Sequence, residues 1–203
     1  MLTLYHRPAC PYCMRVRLLL ARKGVAFDTV SVPPGAKPEA LLARNPAGTV
    51  PVLDIGSDAF AESLVIAEYI EDRFPEPALL PGDPAARARA RLHALHCDRT
   101  LAPAVRALAE AESDADRRAA GAAIADALGR FDAALAAAPW LAGAAPGWAD
   151  LVVAPWAARA AALGAADAAE LPARAAAWIG RLAFLPDVRA EAAAAGWLGD
   201  AAA

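Results

Sequence analysis

The chain is short of cysteine, of lysine and of long apolar runs, and each shortage excludes a class of protein. Its 203 residues hold three cysteines, too few and too odd in number for the disulfide framework of a secreted domain. The charge-free stretch at residues 133–149 contains two prolines and two glycines, so it does not predict a membrane span. Residues 1–7 include no apolar run of signal-peptide length. We therefore expect a cytoplasmic protein with no membrane partner.

The charge balance also argues against nucleic acid as a partner. The formal net charge is −3, and only two of the 20 basic residues are lysines, whereas a nucleic-acid surface needs a basic patch or stripe. Hydrophobic residues make up 58% of the chain, which excludes a disordered polar chain. Alanine supplies 60 residues and favours helix.

The alanines divide the chain near residue 80, with 11 in residues 1–80 and 49 in the remainder. In the first part, short β-type runs alternate with segments of helical period. The resulting strand, helix, strand, helix, strand, helix order predicts an α/β domain around a sheet. These elements are predicted at 2–5, 13–23, 27–32, 38–44, 50–54 and 63–74.

A proline-rich stretch separates this part from the rest. Four prolines in residues 75–84 exclude a helix interior, so we predict a linker at 76–83 between an α/β domain at 1–75 and an all-helical domain at 84–203. Asp83 should cap the next helix, with Pro84 at its first position. The helices of the second domain are predicted at 84–112, 115–138, 148–163, 172–184 and 186–195.

The residues Cys10-Pro11-Tyr12-Cys13 form a C-x-x-C motif between a predicted strand and a predicted helix, an arrangement typical of thiol redox chemistry. At the start of the helix, free N–H groups and the positive end of the helix dipole would stabilise a Cys10 thiolate, and Arg7 would add positive charge. We predict that Cys10 is the nucleophile and that Cys13, one turn further on, is the resolving thiol.

Two alternatives for this pair remain open. A zinc site would need further ligands, for which the candidates are His93, His96 and Cys97. A purely structural cysteine pair is the other alternative. Cys97 by itself is expected to be a small buried residue. The two histidines are expected to be polar residues on a helix face or, alternatively, part of a substrate pocket.

Two further segments suggest a binding site for a peptide-like ligand. Pro51 marks a strand start, an edge strand or a cis peptide, because proline cannot donate to a sheet ladder. If the bond is cis, the Val50 backbone could pair with an extended thiol peptide; a trans proline on an edge strand is the alternative. Glu62 and Ser63 open the next helix and suit the ammonium and carboxylate groups of an amino acid. Plain helix capping by Ser63 is the alternative there.

Taken in order, these motifs resemble those of the glutathione transferase superfamily, and the resemblance covers essentially the whole chain. It includes the cysteine motif, residues 45–53, residues 62–70, the proline-rich linker and the all-helical second part. The motif and the Glu62-Ser63-Leu64-Val65-Ile66 run are most similar to omega-type enzymes and two-domain bacterial glutaredoxins. The resemblance implies a thioredoxin-like N-terminal domain followed by an all-helical glutathione-transferase C-terminal domain.

The resemblance also implies a site for glutathione as co-substrate, without a metal. Cys10 would bond or activate the glutathione sulfur. Val50, before a cis proline, would pair with the cysteinyl unit, and Glu62 and Ser63 would hold the γ-glutamyl head. Lys37 would lie near the glycyl carboxylate. The full set of implied glutathione contacts is Lys37, Thr49, Val50, Pro51, Glu62 and Ser63.

One segment departs from the family pattern. Relatives usually begin the central helix of the second domain with Ser/Thr-x-x-Asp, whereas this chain has Gly147-Trp148-Ala149-Asp150. We expect Asp150 still to accept backbone N–H bonds at the start of that helix.

Three functions fit this pattern. The preferred one is a glutathione-dependent thiol transferase or reductase that acts on mixed disulfides or small oxidised substrates through the Cys10 thiolate. The second is a conventional conjugating transferase, in which Tyr5 could donate a hydrogen bond to the glutathione thiolate and the second substrate is an electrophile. The third is a non-catalytic binding protein of the stringent starvation protein A type.

The resemblance further implies a homodimer. Acidic residues of the 63–74 helix could pair across a two-fold axis with arginines of the following helix, namely Arg87, Arg89 and Arg91. The second substrate should bind between the two domains, against the helix predicted at 84–112. The candidate aromatic residues there are Trp148, Trp156 and Trp197.

Overall fold

The computed structural model describes residues 1–198 and contains a four-stranded mixed sheet. Its strands are β1 (Thr3–His6), β2 (Asp28–Ser31), β3 (Val52–Asp54) and β4 (Ala59–Ala61), in the spatial order β2-β1-β3-β4. β1 pairs parallel with β2 and antiparallel with β3, and β4 pairs antiparallel with β3. The sequence analysis does not predict β4, because its three residues form too short a run to show strand alternation.

Three helices complete the N-terminal domain: α1 (Pro11–Arg22), α2 (Glu39–Leu42) and α3 (Ser63–Arg73). α1 and α3 pack on each other and share one buried cluster with the sheet. Leu4 and Leu53 come from the strands, Leu19 from α1, and Ile66 and Ile70 from α3. The predicted α/β arrangement is confirmed.

The rest of the described chain is helical, as predicted. Its helices are α4 (Pro84–His96), α5 (Ala102–Ala109), α6 (Asp114–Ala134), α7 (Trp148–Ala162), α8 (Ala165–Ala168), α9 (Ala173–Ala183) and α10 (Pro186–Ala194). Asp83 caps α4 by accepting a 2.7 Å hydrogen bond from the Ala86 N–H, and Pro84 is its first residue. No helix in this part of the chain or elsewhere in residues 1–198 is long and apolar enough to cross a membrane.

A π-helical turn, Cys97–Leu101, joins α4 to α5, where the sequence predicts one continuous helix over 84–112. That prediction is wrong in detail because a π turn interrupts the α-helical hydrogen-bond pattern. Pro103, in the first turn of α5, marks the interruption in the sequence. The predicted domain boundaries at residues 75 and 83 stay predictions. The last residues of the predicted second domain, 199–203, lie outside the described residues.

The start of α7 is held by one buried carboxylate. Asp150 accepts hydrogen bonds from the backbone N–H groups of Gly147, Leu141 and Ala142 at 2.9–3.1 Å, and from the indole N–H of Trp178 at 2.9 Å. Burial raises the pKa of Asp150, and these four donors oppose that rise. A Cβ atom at position 147 would lie 2.5 Å from the Cβ of Ala142, so glycine replaces the family's hydroxyl residue here for lack of space.

α1 joins the two domains through charged side chains. Arg17 pairs with Glu191 of α10 at 2.5 Å, and Arg22 pairs with Asp187 of the same helix at 2.5 Å. Both pairs are partly buried, where an ion pair is screened less than on the open surface. The first helix of the sheet domain is therefore fixed against the last helix of the described chain.

The acidic residues of α3 are paired within the chain. Glu68 receives a two-pronged hydrogen bond from Arg91 of α4 at 2.5 and 2.9 Å. Glu71 is buried and pairs with Lys23 at 2.6 Å. The expectation that these acids pair with arginines of a second copy is wrong for both, because their partners lie in the same protomer.

Candidate functional site

Cys10 and Cys13 lie at the first turn of α1. Cys10 is the N-cap residue and Pro11 is the first helical residue, so the unpaired N–H groups of the helix start face the Cys10 sulfur. Cys10 is half-buried, and Cys13 is fully buried one turn further on. Neither forms a disulfide.

The surroundings make the two thiols unequal. A hydrogen bond from the Cys13 side chain, helped by the Cys13 and Tyr12 backbone N–H groups and by the charge of Arg7, lowers the pKa of Cys10 to about 6, although burial opposes the shift. The same hydrogen bond and burial raise the pKa of Cys13 above its ordinary range. At neutral pH the pair is therefore an accessible thiolate and a protonated thiol that stabilises it.

The loop before the motif is fixed from behind by Arg17. Its guanidinium donates to the carbonyl oxygens of Arg7 and Pro8 at 3.3 and 3.0 Å, and it contacts His6 Nδ1 at 3.0 Å. Arg7 in turn donates to the Val32 carbonyl at 3.1 Å. The backbone that carries Cys10 is thereby tied to the edge of the sheet.

A cleft of about 350 Å³ opens beside this turn. The structure brings five of the predicted binding residues together in its lining, with three further residues. The Val50–Pro51 peptide is cis, as the resemblance implies. The lining consists of Tyr12, Thr49, Val50, Pro51, Glu62, Ser63, Leu64 and Asp98.

Cys10 and Cys13 are not among the lining residues, and two other residues named from sequence, Lys37 and Tyr5, also lie outside the lining. Lys37 is exposed, and its ammonium donates to the Ala47 carbonyl at 3.3 Å. Tyr5 is buried in β1, with the guanidinium of Arg44 over its ring. Solvent therefore reaches the ammonium group of Lys37, whereas the Tyr5 side chain is covered.

Glu62 and Ser63 form the corner where the chain enters α3. Glu62 is the N-cap residue and has a φ of 64° and a ψ of 110°. It is the one non-glycine residue among the described residues with positive φ, a conformation that costs free energy and is found mostly at functional sites. Its side chain is exposed, whereas Ser63 is buried and its Oγ accepts a 2.9 Å hydrogen bond from Arg15.

Arg15 connects Ser63 to Asp98, a further lining residue of the cleft, and the sequence analysis missed both. The wholly buried Arg15 guanidinium donates to Ser63 Oγ, to the Val152 carbonyl at 2.9 Å and to both carboxylate oxygens of Asp98 at 3.1 and 2.6 Å. Asp98 comes from the π turn. A signal existed in the sequence: Arg15 interrupts an apolar helix face, and a buried charge requires partners.

Tyr12, a lining residue of the cleft, also forms an aromatic pair with Trp156. The Tyr12 and Trp156 rings meet edge to face, 5.2 Å apart and inclined by 72°. Of the three tryptophans proposed for the second substrate, Trp156 is the one that contacts the cysteine motif in this way. Trp148 donates to the Ala67 carbonyl at 3.4 Å in the core, and Trp197 is buried beneath Arg159.

Of the remaining candidates, Cys97 lies in the helical core, and His93 and His96 are half-buried. His93 lines a second cavity of about 320 Å³ together with Trp148. His93 and His96 both pack on the Phe131 ring, and His96 Nε2 lies 2.8 Å from the Ala127 carbonyl oxygen. Cys97 is fully buried, which raises its pKa to about 12. Within residues 1–198 no group of three or more His, Cys, Asp or Glu side chains is placed to hold a metal ion.

Comparisons with known families fit this geometry. Residues 4–78 match the family model "Glutathione S-transferase, N-terminal domain", and residues 92–186 match "Glutathione S-transferase, C-terminal domain". A probable glutathione transferase of Aplysia californica is 40% identical over 87 residues, which are 43% of this chain and 95% of that protein. A stringent starvation protein A homolog of Pasteurella multocida is 40% identical over 116 residues, 57% of this chain and 54% of that protein. The chain thus spans about half the length of that relative.

Solved structures extend the likeness over nearly the whole chain. Glutathione transferase Omega 3C from Trametes versicolor has a TM-score of 0.81 at 29% identity, over 94% of this chain and 88% of that one. A rice glutathione transferase solved in complex with glutathione has a TM-score of 0.83 at 30% identity, over 94% and 90% of the two chains.

Proposed function

The chain belongs to the glutathione transferase superfamily, and within it we propose a glutathione-dependent thiol transferase that acts through the Cys10 thiolate. One observation carries the proposal: a half-buried thiol with a pKa of about 6 lies at a helix start beside the cleft. A thiolate next to a glutathione sulfur forms and breaks disulfides readily. A conjugating transferase needs only to stabilise the thiolate of glutathione itself.

The proposed reaction proceeds in two exchanges. The Cys10 thiolate attacks the glutathionyl sulfur of a mixed disulfide GS–SR, forms Cys10–S–SG and releases RS⁻, which takes a proton from solvent. The thiolate of a second glutathione then attacks the glutathionyl sulfur on Cys10 and releases oxidised glutathione and the Cys10 thiolate. The net reaction converts GS–SR and GSH into RSH and GSSG. Cys13 can instead resolve the mixed disulfide, since its pKa falls once the negative charge on Cys10 is gone.

In this proposal glutathione lies along the cleft. Glu62 accepts a hydrogen bond from the ammonium of the γ-glutamyl head. The Ser63 hydroxyl, whose oxygen already accepts a hydrogen bond from Arg15, donates a hydrogen bond to the carboxylate of that head. The Val50 backbone pairs with the cysteinyl unit, next to Thr49 and Pro51. Lys37 stays in the proposal as the partner of the glycyl carboxylate, and it would have to leave the Ala47 carbonyl to reach it.

The test uses oxidised glutathione and three proteins. Cys13→Ser, which cannot form a Cys10–Cys13 disulfide, should gain one glutathionyl group on Cys10 by mass spectrometry, and the wild type should gain that group or form the disulfide and should turn over hydroxyethyl disulfide with glutathione. Cys10→Ser should lose both properties. Cys13→Ser should keep turnover of glutathionylated substrates by the monothiol route. Full turnover by Cys10→Ser would overturn the proposal, and a dead Cys13→Ser beside a normal Cys10→Ser would reverse the two roles.

A non-catalytic binding role is the second candidate, because stringent starvation protein A homologs are among the similar proteins. The same experiment separates the two. A wild type that is neither glutathionylated nor active with hydroxyethyl disulfide, dehydroascorbate or chlorodinitrobenzene would favour the binding role. Activity with chlorodinitrobenzene alone would favour conjugation.

We also propose a cytoplasmic homodimer. Three large apolar side chains are exposed on α3 and α4: Val65 at 54%, Leu92 at 48% and Leu95 at 37% of their surface. Apolar side chains grouped on adjacent helices favour burial against a second copy. Light scattering at micromolar concentration should give about twice the chain mass of 20.9 kDa; a mass near 21 kDa would contradict the dimer.

A further inference from the structure

Three side chains form a cluster that meets the cleft at Tyr12, which we call the arginine–aromatic cluster: Tyr12, Arg106 and Trp156. Arg106 of α5 donates to the Tyr12 hydroxyl oxygen at 3.1 Å, and its guanidinium carbon lies 5.5 Å from the centre of the Trp156 ring. The Tyr12 and Trp156 rings support each other edge to face. The cluster therefore fixes one guanidinium beside Tyr12, one of the two residues that separate the two cysteines.

The positive charge of Arg106 is not neutralised within the described chain. Arg106 is exposed, and no carboxylate of residues 1–198 forms an ion pair with it, although Glu110 lies four residues on, at helical pairing distance in sequence. A guanidinium has five N–H donors, and the Tyr12 hydroxyl uses one. The other donors keep the planar fork that binds carboxylates through two parallel hydrogen bonds.

Groups of opposite charge lie at the cleft and beside it. The Glu62 carboxylate lines the cleft and suits the ammonium of a γ-glutamyl head, and the Asp98 carboxylate is paired with Arg15, whereas the Arg106 guanidinium is bound to the hydroxyl of Tyr12, another lining residue. Trp156 is only 3% exposed, and its Nε1 has no hydrogen-bond acceptor within the described residues. Its ring orientation is therefore set by packing against Tyr12 and Arg106, which holds the guanidinium over a rigid surface.

From this arrangement we propose that Arg106 is a specificity-determining residue that selects second substrates carrying a carboxylate near the sulfur. The proposal rests on the thiol-transferase function above and names its substrate class: mixed disulfides of glutathione with small acidic thiols. When the glutathionyl part lies in the cleft, the leaving thiolate RS⁻ departs past Tyr12. There the free N–H groups of Arg106 donate hydrogen bonds to the carboxylate of R. The exchange itself is unchanged, and Arg106 takes no proton and forms no covalent bond.

A kinetic series tests the proposal with three leaving groups of similar size. The substrates are the glutathione mixed disulfides of 3-mercaptopropionate, 2-mercaptoethanol and cysteamine, which are negative, neutral and positive at the leaving end. The readout is kcat/KM for the disulfide, since in a two-step exchange it reports only the first half-reaction. The wild type should prefer the acidic substrate over the neutral one and reject the cationic one. Arg106→Gln should lower kcat/KM about fivefold for the acidic substrate, the scale of an exposed charge pair, and change the neutral one less than twofold.

Two further variants show whether the effect is specific to Arg106 and whether it depends on Tyr12. Arg118→Gln removes the same charge from an exposed position on α6 and should leave the preference intact. Tyr12→Phe removes the hydrogen bond to Arg106 but keeps the ring, so it should weaken the preference without abolishing turnover. An equal loss on all three substrates in Arg106→Gln would overturn the proposal, because it would indicate a general structural effect.

A binding measurement separates this proposal from the proposed function. S-(2-carboxyethyl)glutathione and S-(2-hydroxyethyl)glutathione are thioethers that cannot be reduced, so their affinities by calorimetry need no turnover. Tighter binding of the carboxyethyl compound to the wild type, lost in Arg106→Gln, supports the role of Arg106 even if no thiol-transferase activity is found. Equal affinity of the wild type for both compounds overturns it even if the enzyme is active.

Discussion

The two sides of the cleft are built in different ways. The first, which we call the loop side, consists of Thr49, Val50, Pro51, Glu62 and Ser63, and lies where the chain enters β3 and α3. The second, the helical side, consists of Asp98 of the π turn, which lines the cleft, and of Arg106 of α5 and Trp156 of α7, which meet the cleft through Tyr12. The loop side presents backbone groups whose positions depend on unusual main-chain geometry. The helical side presents charged and aromatic side chains on regular backbone.

This difference teaches where each property of the site resides. In the proposed function, backbone groups at chain corners would recognise features that every glutathione carries. Side chains on a helix can be exchanged without altering the backbone, so we expect substrate choice to depend on them. Arg15 is the exception, because it extends from α1 to hydrogen-bond Ser63 on the loop side and Asp98 on the helical side.

Breaking the bridge between the two sides should have the largest effect. Arg15→Met leaves the buried Ser63 hydroxyl and the Asp98 carboxylate without their guanidinium, and loss of one partner of a buried pair costs about 3–5 kcal/mol. Urea unfolding should show that loss in the free energy of unfolding. Arg22→Met is the matched control, since it removes a partly exposed arginine–aspartate pair from the same helix and should cost about 1 kcal/mol or less. Equal losses in the two variants would contradict the bridging role.

Changing the loop side alone should weaken glutathione binding and leave the fold intact. Glu62→Ala and Ser63→Ala should each cost about 1–3 kcal/mol of binding free energy, the range for a lost hydrogen bond to a charged group. Calorimetry with glutathione measures the loss. Ser57→Ala, at an exposed position between β3 and β4, should bind like the wild type. Unchanged affinity in both test variants would contradict the binding roles of Glu62 and Ser63 and would leave Ser63 with its hydrogen bond from Arg15 alone.

The smallest expected effect concerns the first turn of α1, which both sides share. In the wild type the rate of Cys10 alkylation by iodoacetamide should rise with pH and reach half its maximum near pH 6, the pKa of the thiol. Cys13→Ala removes the hydrogen bond that contributes most to the lowered pKa, so the midpoint should move to higher pH. An unchanged midpoint would mean that the helix start alone stabilises the thiolate.

The loop side could be predicted from sequence because each of its motifs is contiguous. Cys10 and Cys13, Val50 and Pro51, and Glu62 with Ser63 carry their chemistry in neighbouring residues, and the local turn or helix start gives the reason for each. The α/β domain followed by helices could be predicted for the same reason, since it depends on periodicity within short segments. β4 and α8 are too short to show a period.

The helical side could not be predicted, because its residues gain meaning only from distant partners. Asp98 and Arg106 look like ordinary surface charges in alanine-rich helices, and nothing near them in sequence indicates that they meet Arg15 and Tyr12, which are 83 and 94 residues away. Trp156 was one of three candidates of equal standing. Glu68 and Glu71 of α3 show the opposite error. Their charges suggest ion pairs with a second copy of the chain, although the basic partner of each lies in the same chain.

The π turn between α4 and α5 holds one residue more than an α-helical turn and takes it up locally. In a regular α-helix one additional residue would rotate everything beyond it by about 100°. Because the widened turn absorbs the additional residue, α5 keeps the phase relative to α4 that an uninterrupted helix with one residue fewer would have. The π turn thus confines the effect of the extra residue to the segment that carries Asp98, and Arg106 faces Tyr12 from a helix whose orientation the extra residue does not change.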